Sequence, residues 1–144
     1  MQTIVNEEPV AGAFPLVRNQ SAAPVLVSLG DFPGVVRAAT DLQADVERVS
    51  GVKPARIEDV GSAERFTVIV GTIGKSPIID QLVNSGKLDV RSITGKWESF
   101  VIATVAAPMP GVEQALVVAG SDKRGTIYGI YEISEQIGVS PWYW

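Results

Sequence analysis

The chain predicts an α/β layered domain, a mixed β-sheet covered by about three helices. Two observations carry this. Short apolar runs rich in β-branched residues alternate with three segments whose apolar positions recur at helical spacing. Of the 144 residues, 46% are hydrophobic and 19% charged, so the chain can bury a core and is not disordered by composition. Its length suits one domain.

Residues 1–12 read as a flexible N-terminal arm, and 13–138 as the α/β domain. Phe14 to Val17 and Pro24 to Leu29 read as two short strands, with Arg18 to Ala23 connecting them. Asp31-Phe32-Pro33 opens the first helix, because Asp31 suits a cap and Pro33 the first turn. That helix runs to about Ser50, where Gly51 stops it. Val35, Ala38, Ala39, Leu42, Val46 and Val49 share one face. Arg37, Asp41, Asp45 and Arg48 lie opposite.

Arg65 to Val70 ends in Phe66-Thr67-Val68-Ile69-Val70, which reads as a buried strand. Gly71 to Lys75 turns, Ser76-Pro77 opens a second helix to about Ser85, and Gly86 stops it. Glu98 to Ala106 and Gln114 to Ala119 read as antiparallel neighbours joined through Pro108-Met109-Pro110-Gly111. A third helix begins near Lys123 and ends at Gly138. Ile127, Ile130, Tyr131, Ile133 and Ile137 face inward on this reading, and Glu132, Glu135 and Gln136 face water. No internal repeat interrupts the pattern.

Composition excludes several functions. A net charge of −4 with no basic block argues against nucleic-acid binding. No apolar run approaches the ~20 residues of a membrane span. Residues 1–12 lack the basic start and apolar centre of a signal peptide. There is no cysteine, hence no disulfide and no thiolate chemistry. There is no histidine either, which removes Ser-His-Asp and Cys-His catalysis and His-ligated zinc. Carboxylates, lysine, tyrosine and backbone remain for chemistry, and no cofactor or metal is expected.

Gly71-Thr72-Ile73-Gly74-Lys75-Ser76 invites comparison with a phosphate-binding loop. The P-loop spacing needs glycine five residues before Gly74, and that residue is Ile69. The alternative is a short strand-to-helix turn with Ser76 as cap. Asp41 and Asp45 are one helical turn apart, but Arg37 and Arg48 flank them as on a solvated ion-pair face. Glu7-Glu8 and Glu58-Asp59 fall in loops without an acid/base arrangement. No catalytic residue is assigned. Asn19-Gln20-Ser21 is a glycosylation sequon.

Gly120-Ser121-Asp122-Lys123-Arg124-Gly125 is the strongest candidate. Ser121 or Asp122 can cap the third helix. Lys123 and Arg124 then sit at its positive end, which the helix dipole disfavours, so a compensating carboxylate is expected. The readings are an ion pair within or between domains, or anion and sugar-acid contact through helix-start amides and Arg124. Tyr128, Tyr131, Trp142, Tyr143 and Trp144 suit either packing against a following domain or a carbohydrate-stacking platform. Costly aromatics in the closing Pro141-Trp142-Tyr143-Trp144 read as the start of a junction, 139–144, in a domain cut from a longer chain.

Several segments carry a resemblance. They are Ala13 to Val17, Asp41 to Gly51, Gly71 to Ser76, Gly95-Lys96-Trp97-Glu98-Ser99-Phe100, and above all Gly120 to Trp144. Together they resemble glycoside hydrolase family 115, the xylan α-1,2-glucuronidases, where an N-terminal α/β domain hands over to the catalytic barrel. The resemblance implies a non-catalytic accessory domain that supports the barrel of the same chain. The barrel's catalytic residues lie beyond Trp144, so none is carried over. It also implies glucuronoxylan as the parent enzyme's substrate and an extracellular or periplasmic setting. The alternative is a stand-alone carbohydrate-binding module. Asp122, Lys123, Arg124, Trp142 and Trp144 are the expected inter-domain or ligand contacts.

Overall fold

The computed structural model describes residues 3–5, 14–18 and 20–137. Its order is β1 (Thr3–Val5), β2 (Val17–Arg18), β3 (Ser21–Ala22), β4 (Val25–Val27), α1 (Pro33–Ser50), β5 (Arg56–Ile57), β6 (Phe66–Thr72), α2 (Pro77–Asn84), β7 (Phe100–Met109), β8 (Val112–Gly120) and α3 (Lys123–Ile137). Six strands form one sheet in the order β1-β7-β8-β6-β4-β5, and β2 and β3 form a separate hairpin. β5, β4, β6 and β8 run parallel, whereas β7 is antiparallel to β8 and parallel to β1. The expected α/β fold with a mixed sheet is the fold observed.

The sheet has two covered faces. On one, Val25, Val27, Val68, Val70, Leu116 and Val118 pack against α1 and α3. On the other, Leu26, Ile69, Val117 and Ala119 meet Ile79 and Leu82 of α2, and Leu88, Val90 and Ile93 of the turn-rich segment after it. Burial on both faces explains the unbroken apolar runs of β6 and β8.

Helix boundaries follow local signals. α1 ends where Gly51 takes the left-handed conformation at φ 80°, and its N–H reaches Glu47 O. α2 begins where Ser76 Oγ accepts the Ile79 N–H at 3.2 Å. The β7–β8 hairpin turns tightly, with Met109 opposite Val112, and Gly111 supplies φ 87° at a position that requires it.

Several expectations are corrected. Thr3–Val5, inside the segment read as an arm, pairs with Phe100–Ile102; Thr-Ile-Val is a β-branched triplet suited to a strand. The connector 18–23 contains β3 and the Arg18 end of β2, which pair as a hairpin. Asp31 does not cap α1: Phe32 is the N-cap residue, with no side-chain cap. Asp31 is 5% exposed and instead accepts the Phe32 N–H at 2.7 Å and the Thr72 N–H at 2.8 Å. A buried carboxylate needs such donors, and these tie the start of α1 to the end of β6. Val49 is exposed in the last turn of α1. Tyr131 is 44% exposed rather than inward-facing, and its hydroxyl donates to Asp41 Oδ2 at 2.9 Å. Asn19 and residues 139–144 lie outside the described residues.

Candidate functional site

Strands β4, β6 and β8 end on the same side of the sheet, and α1, α2 and α3 begin there. Open parallel sheets take ligands at this side, where the strand order reverses. Here the reversal lies between β4 and β6, and the Asp31 carboxylate occupies the crevice. An incoming phosphate would meet that negative charge. Gly71 belongs to β6, where a Cβ would lie 2.6 Å from Ser76 Cβ and Ile79 Cγ1, so it serves strand-to-helix packing. Lys75 is directed to the Phe32 ring, with Nζ 5.1 Å from its centroid. The segment is the expected short strand-to-helix turn, with Ser76 as the cap of α2.

The segment 120–125 makes a seam with the start of β7. Asp122 caps α3: its Oδ1 accepts the Gly125 N–H at 2.8 Å. Its Oδ2 accepts the Glu98 N–H at 2.9 Å, joining the cap to the neighbouring strand. Ser121 N–H donates to Ser99 O at 2.9 Å. Ser121 Oγ accepts the Ser99 N–H at 3.1 Å and donates back to Ser99 O at 3.2 Å. Behind the seam, the buried hydroxyls of Thr72 and Thr126 are 2.7 Å apart.

The charge problem of Lys123 and Arg124 is met within the domain. Asp122 supplies negative charge at the helix start, and Arg124 Nη1 lies 3.3 Å from Glu98 Oε2. Lys123 extends over Gly34 of α1, with Cδ 3.9 Å from where a Cβ there would lie. The structure therefore gathers Asp122, Lys123 and Arg124 at one edge, while Trp142 and Trp144 lie outside the described residues.

Two residues without a role in the sequence reading complete this edge. Glu98 is a non-glycine residue at φ 52°, and Trp97 is 84% exposed. Ser99 Oγ donates to Trp97 O at 2.9 Å. The available signal was Trp97 itself, a lone large apolar residue between Lys96 and Glu98 after Gly95.

Elsewhere four acidic residues are engaged in surface pairs. Arg48–Asp45, Arg56–Glu58, Arg65–Glu113 and Arg91–Asp89 are ion pairs of 2.6–3.4 Å. Hydrogen bonds from the Arg91 side chain and backbone hold the exposed Asp89 carboxyl down at about 2. Tyr131 is pushed above its ordinary 10.0, first by its hydrogen bond to Asp41, then by burial and the negative charges of Asp41 and Asp45. Shallow concavities of about 160–370 Å³ lie along the surface of the described residues. Among the described residues, no group of three or more Asp or Glu is placed to hold a metal ion. No helix among them is long and apolar enough to cross a membrane. This arrangement can brace and dock.

Among solved structures, the chain is similar to that of a family GH115 4-O-methyl-alpha-glucuronidase, BtGH115A, with specificity for decorated arabinogalactans. The likeness is to one part of a GH115 enzyme. It has a TM-score of 0.58 and 35% identity, and covers 87% of this chain and 15% of that one. The chain thus spans about 15% of the length of the enzyme it matches. No family model matches, and no curated protein does.

Proposed function

We propose that this chain is the N-terminal accessory domain of a GH115-type α-glucuronidase. It supports and positions the catalytic barrel of the same chain, which releases (4-O-methyl)glucuronic acid from glucuronoxylan outside the cell or in the periplasm. The observation that carries this reading is 35% identity over 87% of the chain with a 4-O-methyl-alpha-glucuronidase many times its length. The absence of histidine and the engaged carboxylates support a bracing role. The N-terminal position and the xylan substrate rest on the resemblance of 13–144 to that family. The similar enzyme acts on decorated arabinogalactans, so both polymers belong in the test. The 144-residue chain alone is expected to release no glucuronic acid from glucuronoxylan or arabinogalactan fragments. Turnover that co-purifies with the chain refutes the accessory role.

The alternative of a stand-alone carbohydrate-binding module draws on one observation, the exposed indole of Trp97. Titration with xylo-oligosaccharide separates the two readings, since a binding module gives a saturable signal.

A further inference from the structure

We propose that Trp97 is the anchor residue by which this domain seats on the remainder of its parent enzyme. The proposal rests on the reading above, of the chain as one domain of a longer glucuronidase. At 84% exposure it is the most exposed large apolar residue among the described residues, ahead of Leu29 at 62%. Apolar area of that size on a soluble surface marks a contact site.

The mount is what singles Trp97 out. Its carbonyl accepts Ser99 Oγ. The next residue, Glu98, holds the left-handed conformation at φ 52°, which a non-glycine residue adopts at a cost in backbone energy. The fold secures it at both ends: the Glu98 N–H by Asp122 Oδ2, the carboxylate by Arg124. Ser99, the following residue, is fully buried and bonded to Ser121. A strained, well-anchored turn thus carries a ring that touches little of its own domain. Such pre-ordering lowers the entropy that binding must supply. Trp is among the residues enriched at interface hot spots.

The occupant follows from coverage and charge. The similar enzyme carries about 85% of its length beyond the matched part, arithmetic from the 15% covered. A covalently joined remainder is present at high effective concentration. Lys96, Lys123 and Arg124 outnumber Glu98 and Asp122 at this edge, so the receiving surface is an apolar pocket with an acidic rim.

Hydroxyl-radical footprinting read by mass spectrometry tests this on the 144-residue chain and on the intact parent enzyme. Trp97 oxidation is expected to slow roughly fivefold or more in the intact enzyme, as for a desolvated anchor. Trp97→Ala is expected to lower the melting temperature of the intact enzyme and leave that of the 144-residue chain unchanged, with Trp97→Phe restoring most of the loss. Equal oxidation in both proteins overturns the anchor. So does a destabilised 144-residue Trp97→Ala chain, which would place the ring in the domain's own packing. Saturable binding of xylo- or arabinogalacto-oligosaccharide to the 144-residue chain, abolished by Trp97→Ala, overturns it in favour of a sugar site. The two levels fail differently: a parent gene encoding no enzyme beyond this domain refutes the domain reading, whereas a parent enzyme with Trp97 exposed refutes the anchor alone.

Discussion

Gly125→Ala is expected to destabilise the domain although it places a better helix former inside α3. Gly125 sits where the first turn of α3 crosses the start of β7. A Cβ at this position would lie 2.8 Å from Ser99 N and 2.9 Å from Ser99 C, and closer still to Ser99 O. These are backbone atoms of a buried residue, so no side chain can swing aside. Restoring ordinary contact requires the helix to lift by about 1 Å. That shift strains the Glu98–Asp122 and Ser121–Ser99 hydrogen bonds, at about 1 kcal/mol each. Overpacking adds roughly 1–3 kcal/mol, and helix propensity returns about 1 kcal/mol. The net loss is about 2–4 kcal/mol, which for this length lowers the melting temperature by roughly 5–15 °C. Thermal and urea unfolding of the 144-residue chain measure it, and Gly125→Val is expected to be worse. A Gly125→Ala midpoint within about 2 °C of the parent chain would show that the helix yields freely and refute this account of the seam.

The neighbouring positions give graded outcomes. Asp122→Ala removes both the helix cap and the Glu98 tie, so urea unfolding is expected to show a loss of about 1–2 kcal/mol. Arg124→Ala breaks an exposed pair and relieves an unfavourable dipole contact, so the same measurement on the 144-residue chain is expected to change by less than about 1 kcal/mol. Tyr131 titrates above 10.0 in the folded chain, so its bond to Asp41 stabilises fully below the unfolded pKa of about 10 and is lost as pH rises through the folded value. Urea midpoints followed into the alkaline range are therefore expected to fall less steeply in Tyr131→Phe, and parallel curves would refute that assignment.

Long periodic elements were legible in the sequence and short ones were not. The stripe Val35, Ala38, Ala39, Leu42 and Val46 spans about three turns, so repetition identifies the buried face of α1. Tyr131 lies beside Ile130 near the margin of the α3 stripe, and periodicity cannot assign a residue at that boundary. β2, β3 and β5 are two residues long, too short to express a period of two. The segment after α2 covers the sheet with Leu88, Val90 and Ile93 without regular structure, so its apolar residues follow no helical or strand spacing. At the candidate site, the Asp122 cap was readable because capping is local. Glu98 was not, because its role arises from contacts with Asp122 and Arg124, more than twenty positions away.

The seam between α3 and β7 also sets the mechanical character of the domain. Its hydrogen bonds gather at the first turn of the helix, at Asp122, Ser121 and Gly125, while Ile130, Ile133 and Ile137 of the later turns hold to the core by apolar packing. A pull applied beyond Ile137 would first load the helix's far end. Turns would be expected to come away one by one as Ile137, Ile133 and Ile130 leave the core. The force would then reach Asp122 and Ser121, where several bonds to one strand must fail together. Tension from that side is thus met by a compliant lead and then a stop, and whatever is tethered there could shift by a few turns of helix before the sheet itself was disturbed.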